Sequence, residues 1–190
     1  REVAWDASGR PESLGHILQV CPRTSGGRND RHNAVLARTV KILIKGWSVL
    51  FEPAIPTPAG LRRPDIIAWN SSTYCYVLDV TIAADNADLG EVHQRKMKYY
   101  NNEHVCNWAL GVSGKENTIV TSISFNWRGA MALASYNVLK GDMEFSDNDI
   151  QLLTIIVLEK GFKCYMDYKK STYRCRDDRI TNMNNELDRR

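Results

Sequence analysis

The chain has little that would mark a special class. No apolar run approaches the ~18 residues that a membrane-spanning helix requires, which argues against a membrane span. The opening Arg1-Glu2-Val3-Ala4-Trp5-Asp6 holds no apolar core of a signal peptide. An initiator Met is missing too, so the expectation is a domain excised from something longer. The five cysteines, Cys21, Cys75, Cys106, Cys164 and Cys175, are odd in number and lack C-x-x-C spacing. That argues against a secreted disulfide scaffold and for a reducing compartment. Charge of one sign is scarce as well: the net charge over 190 residues is only +3. Residues 161–190 hold eight basic and five acidic side chains, so the whole excess sits there. A pI near 8.6 permits a nucleic-acid partner without requiring one.

What is present is an ordinary globular composition, 43% hydrophobic and 25% charged, long enough for one domain with a real core. Residues 1–30, rich in Gly, Pro, Ser and Arg, read as a linker or small appendage. Val35, Leu36, Val40, Leu43 and Ile44 fall at helical spacing and predict a helix over 31–45, capped by Asn29 or Asp30 and ended by Gly46. A short strand over Trp47–Glu52 precedes Pro53–Pro58, which fits neither a central strand nor a helix interior. Strands over Asp65–Trp69 and Tyr74–Ile82 flank a turn signal, Asn70-Ser71-Ser72. A helix over Ala87–Tyr100, a strand over Ile119–Phe125 and helices over Gly129–Leu139 and Ile150–Leu158 follow, the last run being equally readable as a buried strand. The order describes an α/β domain with a mixed central sheet flanked by helices.

The chemistry concentrates in RRPDIIAWNSSTYCYVLDVTI. Asp65 opens one strand and Asp79 interrupts the apolar core of the next. A buried carboxylate there is costly unless paired. Two acids on adjacent hairpin strands can converge, and hard oxygen ligands suit Mg²⁺ or Mn²⁺. The plain alternative is that Asp65 caps a turn while Asp79 pairs with Arg62 or Arg63. On the following helix His93, Lys96 and Tyr100 share a face that could overhang the acids. A lysine beside metal-bound carboxylates can assist an attacking water and stabilise transition-state charge. Alternatively Arg95, Lys96 and Lys98 form only a basic surface helix.

Asp-x13-Asp followed by a helical lysine resembles the PD-(D/E)xK restriction-like nucleases, with Thr81 where the usual lysine would stand. The displaced lysine resembles the endonuclease domain of early-branching, site-specific non-LTR retrotransposons that insert into ribosomal RNA genes. The resemblance extends through HILQVCPRTSGGRNDRHN (16–33), GLRRPDII (60–67), LDV (78–80), HQRKMKYY (93–100) and SISFNWRGAMALASY (122–136). It implies a restriction-endonuclease-like fold, Asp65 and Asp79 as metal-binding acids, Lys96 as catalytic lysine and Tyr100 as accessory tyrosine. A second lysine common in the family is replaced by Tyr99, with Lys98 one step earlier. Arg31-His32 matches an Arg-His pair that could contact phosphate or complete the rim, or else His32 simply packs.

The family also carries an upstream C-x3-C-x7-H-x4-C knuckle. His16 and Cys21 keep its second half, whereas Ala4 and Ser8 stand at the first two cysteine positions, so no zinc is expected. This divides the chain into a degenerate knuckle and linker (1–26) and a nuclease domain (27–190) with a basic tail (161–190).

The implied activity is metal-dependent nicking of double-stranded target DNA, leaving a 3′-hydroxyl that primes reverse transcription. A nuclear location, contact with element RNA and attachment to a polyprotein containing reverse transcriptase are implied with it. Expected DNA contacts are Arg28, Arg31, His32, Arg62, Arg63 and Arg128, with Lys169, Lys170, Arg174 and Arg176 in the tail and Trp69, Trp127 and Tyr173 as stacking residues. The alternatives are an inactive restriction-like fold serving as a docking platform and a zinc-knuckle RNA-binding module.

Overall fold

Alternation of side chains along one central strand organises the molecule. In a computed structural model, which describes residues 13–187 and their side chains as far as 172, β3 (Tyr74–Ala83) is buried from Cys75 to Val80. Tyr76, Leu78 and Val80 project to one face of the sheet, and Cys75 and Val77 to the other. β1 (Ser48–Phe51) pairs antiparallel with β2 (Ile66–Trp69), and β2 pairs antiparallel with β3. β4 (Asn117–Asn126) lies parallel to β3 on its far side. The sheet is therefore mixed, in the order β1-β2-β3-β4, with helices on both faces. This is the α/β architecture expected.

A parallel step from β3 to β4 demands a crossover, supplied by α3 (Leu89–Tyr100) and α4 (Glu103–Ser113). Asp88 caps α3 by accepting from the amides of Gly90 and Glu91. Asn102 caps α4 through the amide of Val105, and Gly114 ends that helix in the left-handed region, at φ 64°. Helix α4 was not anticipated, although its Asn cap, Val105/Ala109 spacing and terminal glycine were all present in the sequence.

The other face is covered by α2 (Ser25–Leu43) and α6 (Asp147–Leu187). Val35, Leu36, Leu43, Leu153 and Val157 close the larger core over Leu78, Ile123 and Phe125. The run LLTIIVL is thus helical, and the segment from 161 continues α6. Short α5 (Leu133–Asn137) bridges from β4 into a single π turn, Val138–Asp142.

Residues 14–30, expected to be a linker or a small appendage, are largely helical. They form α1 (Leu14–Gln19), a 3₁₀ turn at Pro22–Thr24 and the first turns of α2. Asn29 and Asp30 lie inside α2, and Thr24 occupies its N-cap position with its hydroxyl donating to the carbonyls of Ile17 and Cys21. The cause is packing against α6. A Cβ on Gly27 would stand 2.7 Å from Cys164 Sγ and 2.9 Å from its Cβ, so glycine is what lets the two helices meet.

Candidate active site

The β2–β3 register pairs Ile66 with Leu78. Continued one step it sets Asp65 opposite Asp79, on the sheet face that holds Ile67 and Val77. The backbone fixes this geometry further: Asp65 Oδ2 accepts from the amide of Val80 at 2.6 Å, and the Asp65 carbonyl accepts from Glu52 N at 2.9 Å. Both carboxylates are buried, at 9% and 4% exposure, so their partners decide what they can do.

Asp79 has a cation and a hydroxyl. Lys96 Nζ lies 3.0 Å from Asp79 Oδ2, and Thr81 Oγ1 donates to the same oxygen at 2.9 Å. Helix α3 places Lys96 over the sheet, with Tyr100 one turn later (i, i+4). Tyr100 is buried and donates its hydroxyl proton to the Arg63 carbonyl at 2.9 Å. Burial, then the nearby charges of Asp79 and Asp65, push that hydroxyl well above the ordinary tyrosine range, so it stays protonated.

Asp65 is served from the opposite layer. His32, on α2, has Nε2 3.2 Å from Asp65 Oδ2 and 3.1 Å from the Val80 carbonyl. Both neighbours are acceptors, so Nε2 carries a proton. The hydrogen bond to Asp65 raises the His32 pKa to about 9 against the opposing effect of burial. His32 therefore stands at the edge of the acid centre, with its side chain 31% exposed.

The centre gathers Asp65, Asp79, Lys96, Tyr100 and His32, together with Thr81, which stands where the motif's usual lysine would and donates to Asp79. His93 does not join them. It is buried against β4 and α5, with Nδ1 donating to the Ser122 carbonyl at 3.1 Å, and burial lowers its pKa. Neither arginine pairs with the acids: Arg62 lies over the Tyr99 ring at 4.4 Å, and Arg63 is exposed.

The expected DNA contacts separate into two groups. Arg31 is only 1% exposed and donates to the Leu18 carbonyl at 2.9 Å, tying α1 to α2. Burial corrects its assignment as a phosphate contact. Arg28 is half-buried and donates to the Cys21 carbonyl and Thr24 Oγ1, so it is also engaged within the fold. Arg63 and Arg128 are exposed; Arg128 pairs with Asp85 at 2.7 Å and lies 4.6 Å from the Trp127 ring centroid. Trp69 packs partly buried and Trp127 is buried, whereas the side chains of Tyr173, Arg174 and Arg176 lie outside the described residues.

Among the described residues, no group of three or more His, Cys, Asp or Glu side chains is placed to hold a metal ion. Two carboxylates facing each other across a strand pair still fit Mg²⁺ or Mn²⁺. Mg²⁺ binds through one or two carboxylates and completes its shell with waters and substrate phosphates. In the knuckle half, Cys21 is buried beside Ile17 and Tyr168, and positions 4 and 8 lie outside the described residues.

No family model matches the chain. It is 37% identical over 182 residues to the retrovirus-related Pol polyprotein from type-1 retrotransposable element R2 of Nasonia vitripennis, covering 92% of the chain and 17% of that polyprotein. It is 28% identical over 160 residues to the Pol polyprotein from type-2 retrotransposable element R2DM of Drosophila melanogaster, covering 83% of the chain and 15% of the relative. An R2 Pol polyprotein of Popillia japonica is 32% identical over 98 residues, covering 50% of the chain and 14% of its own length. The chain spans about a sixth of the length of the first two of these curated relatives. It is a homologue of a segment of the R2 retrotransposon Pol polyproteins.

Proposed function

We propose that this chain is a metal-dependent DNA endonuclease that nicks double-stranded target DNA and leaves a 3′-hydroxyl to prime reverse transcription. The observation that carries the reading is the placement of Asp65 opposite Asp79, with Lys96 Nζ 3.0 Å from Asp79 Oδ2. A buried acid pair with an attached lysine is poor economy for a core and good chemistry for a phosphodiester.

Asp65 and Asp79 would hold Mg²⁺ or Mn²⁺, which supplies Lewis acidity at a phosphoryl oxygen and lowers the pKa of bound water. Lys96 is partly exposed and brings an ammonium to the same spot, where it stabilises negative charge growing on the phosphate. The protonated Tyr100 hydroxyl and the Nε2 proton of His32 hold the backbone and carboxylate around the acids in one geometry. Lys96 and His32 keep 34% and 31% of their side chains exposed, which leaves a path from solvent to the buried acids.

Double-stranded DNA is the proposed substrate, with exposed Arg63 as a candidate for phosphate contacts that weaken with salt, and Arg128 a second only if it leaves Asp85. Element RNA and the rest of a Pol polyprotein are proposed partners, and the nucleus is the proposed location because the target lies there.

The docking-platform reading has one observation in its favour: Lys96 and His32 already pair with the acids, and no third metal ligand is at hand among the described residues. A supercoiled-plasmid assay separates the two. Conversion to open circle with Mg²⁺ or Mn²⁺, stopped by EDTA, is expected of the nuclease. No conversion with either metal, or conversion that persists in EDTA, rejects it.

A further inference from the structure

Where β3 and β4 run out, α1 and α6 leave a groove of about 760 Å³ that the acid centre does not use. Its position follows from the strands. Ala83 lies four residues beyond Asp79, roughly 13 Å along β3, and its carbonyl accepts from Trp127 N and from Gln19 Nε2. The groove thus lies beyond the C-terminal end of β3, on the side of α1 and α6, with Trp127 in its wall.

The rest of that wall is one face of α6. Phe162, Tyr165, Tyr168 and Lys169 fall at helical spacing along it. Aromatic rings and cations alternate here: Arg128 lies over Trp127 at 4.6 Å while its Nε pairs with Asp85 at 2.7 Å, and Lys169 Nζ lies 5.8 Å from the Tyr165 ring centroid. None of the described residues lining the groove is acidic. Phe162 is 66% exposed, a large ring left in solvent beside those cations. Buried aromatics in a core need no explanation; an exposed ring among stacked cations in a concave site does.

We infer that this groove binds unpaired nucleotides, with a base stacked on Phe162 and the adjoining phosphates near Arg128 and Lys169. Stacking suits any base, because each has a π-face, and positive charge along the rim suits the backbone. A duplex keeps its bases stacked inside, so the groove selects single-stranded nucleic acid or a strand locally opened. The site does not depend on the cleavage reading: binding is measured without metal, and an inactive acid pair leaves it intact.

The test is fluorescence anisotropy of a labelled thymidine oligonucleotide with this chain in EDTA, beside an abasic oligonucleotide of equal length and charge. The normal oligonucleotide should bind about tenfold more tightly than the abasic one, the range expected for one or two stacked bases. Phe162→Leu keeps an apolar side chain but loses the ring, and should remove most of that difference. Phe162→Trp should keep it. Because Phe162 is largely exposed, neither change threatens the fold, and circular dichroism checks this. Equal binding of normal and abasic strands, or full affinity in Phe162→Leu, overturns the inference. Concentration-dependent self-association that Phe162→Leu leaves intact and that blocks oligonucleotide binding also overturns it, giving the groove to a second copy.

Discussion

The two faces of the sheet are built for different tasks. On the α2/α6 face, Leu36, Leu43, Leu78, Phe125 and Leu153 are fully buried in one large apolar core. On the α3/α4 face, a smaller cluster of Ile67, Val77, Tyr100, Val105 and Ala109 adjoins two buried acids and their hydrogen-bonding partners. One strand, β3, serves both because its side chains alternate. Leu78 and Val80 anchor the first face while Asp79 opens the second. A costly polar centre is tolerable when the same strand is held firmly from behind, so stability and chemistry separate across a thickness of one sheet.

The separation can be broken from either side. Lys96→Ala should lower nicking on the order of a hundredfold or more, by removing charge stabilisation at the scissile phosphate, with a smaller fall in the urea midpoint than a core truncation gives, because buried Asp79 loses its cation but keeps the Thr81 hydrogen bond. Leu153→Ala should do the reverse. It costs about 3 kcal/mol of folding stability by leaving a cavity, yet nicking per folded molecule should hold near wild type. If Leu153→Ala abolishes nicking while folded, or Lys96→Ala unfolds the chain, the faces are not independent.

The contact between α2 and α6 offers a subtler break. Alanine at an exposed helical glycine normally adds stability, about 1 kcal/mol. At Gly27 the sign should invert, because a Cβ there meets Cys164 at less than 3 Å, and overpacking costs about 1–3 kcal/mol. The paired variant Gly27→Ala/Cys164→Ala should recover part of the loss in thermal melts.

The smallest expected effect concerns pH. Burial holds His93 below its ordinary pKa of 6.5, so above that pH it is neutral in both folded and unfolded chains and contributes nothing. As pH falls through 6.5 the unfolded chain takes up a proton that the folded chain resists, and stability drops until the folded pKa is passed. His93→Gln should be less stable at pH 7.5, having lost the hydrogen bond to Ser122, but its stability should decline less between pH 6.5 and 5. Parallel denaturation curves for both proteins across that range would contradict this role.

What was legible in the sequence tracks how local each determinant is. Asp65 and Asp79 belong to one hairpin whose tight turn, with Ser72 N donating to Asn70 Oδ1, fixes the register over few residues. Lys96 and Tyr100 follow from helical spacing on the next element. His32 reaches the same centre from 33 residues before Asp65 and from the opposite layer, so its partner could not be read from spacing. Arg31 shows the limit most plainly. A charged residue beside His32 reads as a phosphate contact until α1 and α6 close over it, and that closure depends on Gly27, 137 positions from Cys164. The groove between α1 and α6 was hidden for the same reason. Helix α4 was overlooked despite local signals, since its cap and periodicity were there to see.

The central claim is that the acid pair across β2 and β3 is a metal-dependent cleavage centre. It is tested most directly by comparing plasmid nicking in Mg²⁺ by the wild-type chain and Asp79→Asn. The substitution keeps the side chain's shape and its hydrogen bond with Thr81 available, while removing the charge that holds a cation. Loss of nicking by roughly a hundredfold or more, with unchanged circular dichroism, is the predicted result. Nicking by Asp79→Asn at the wild-type rate would contradict the account.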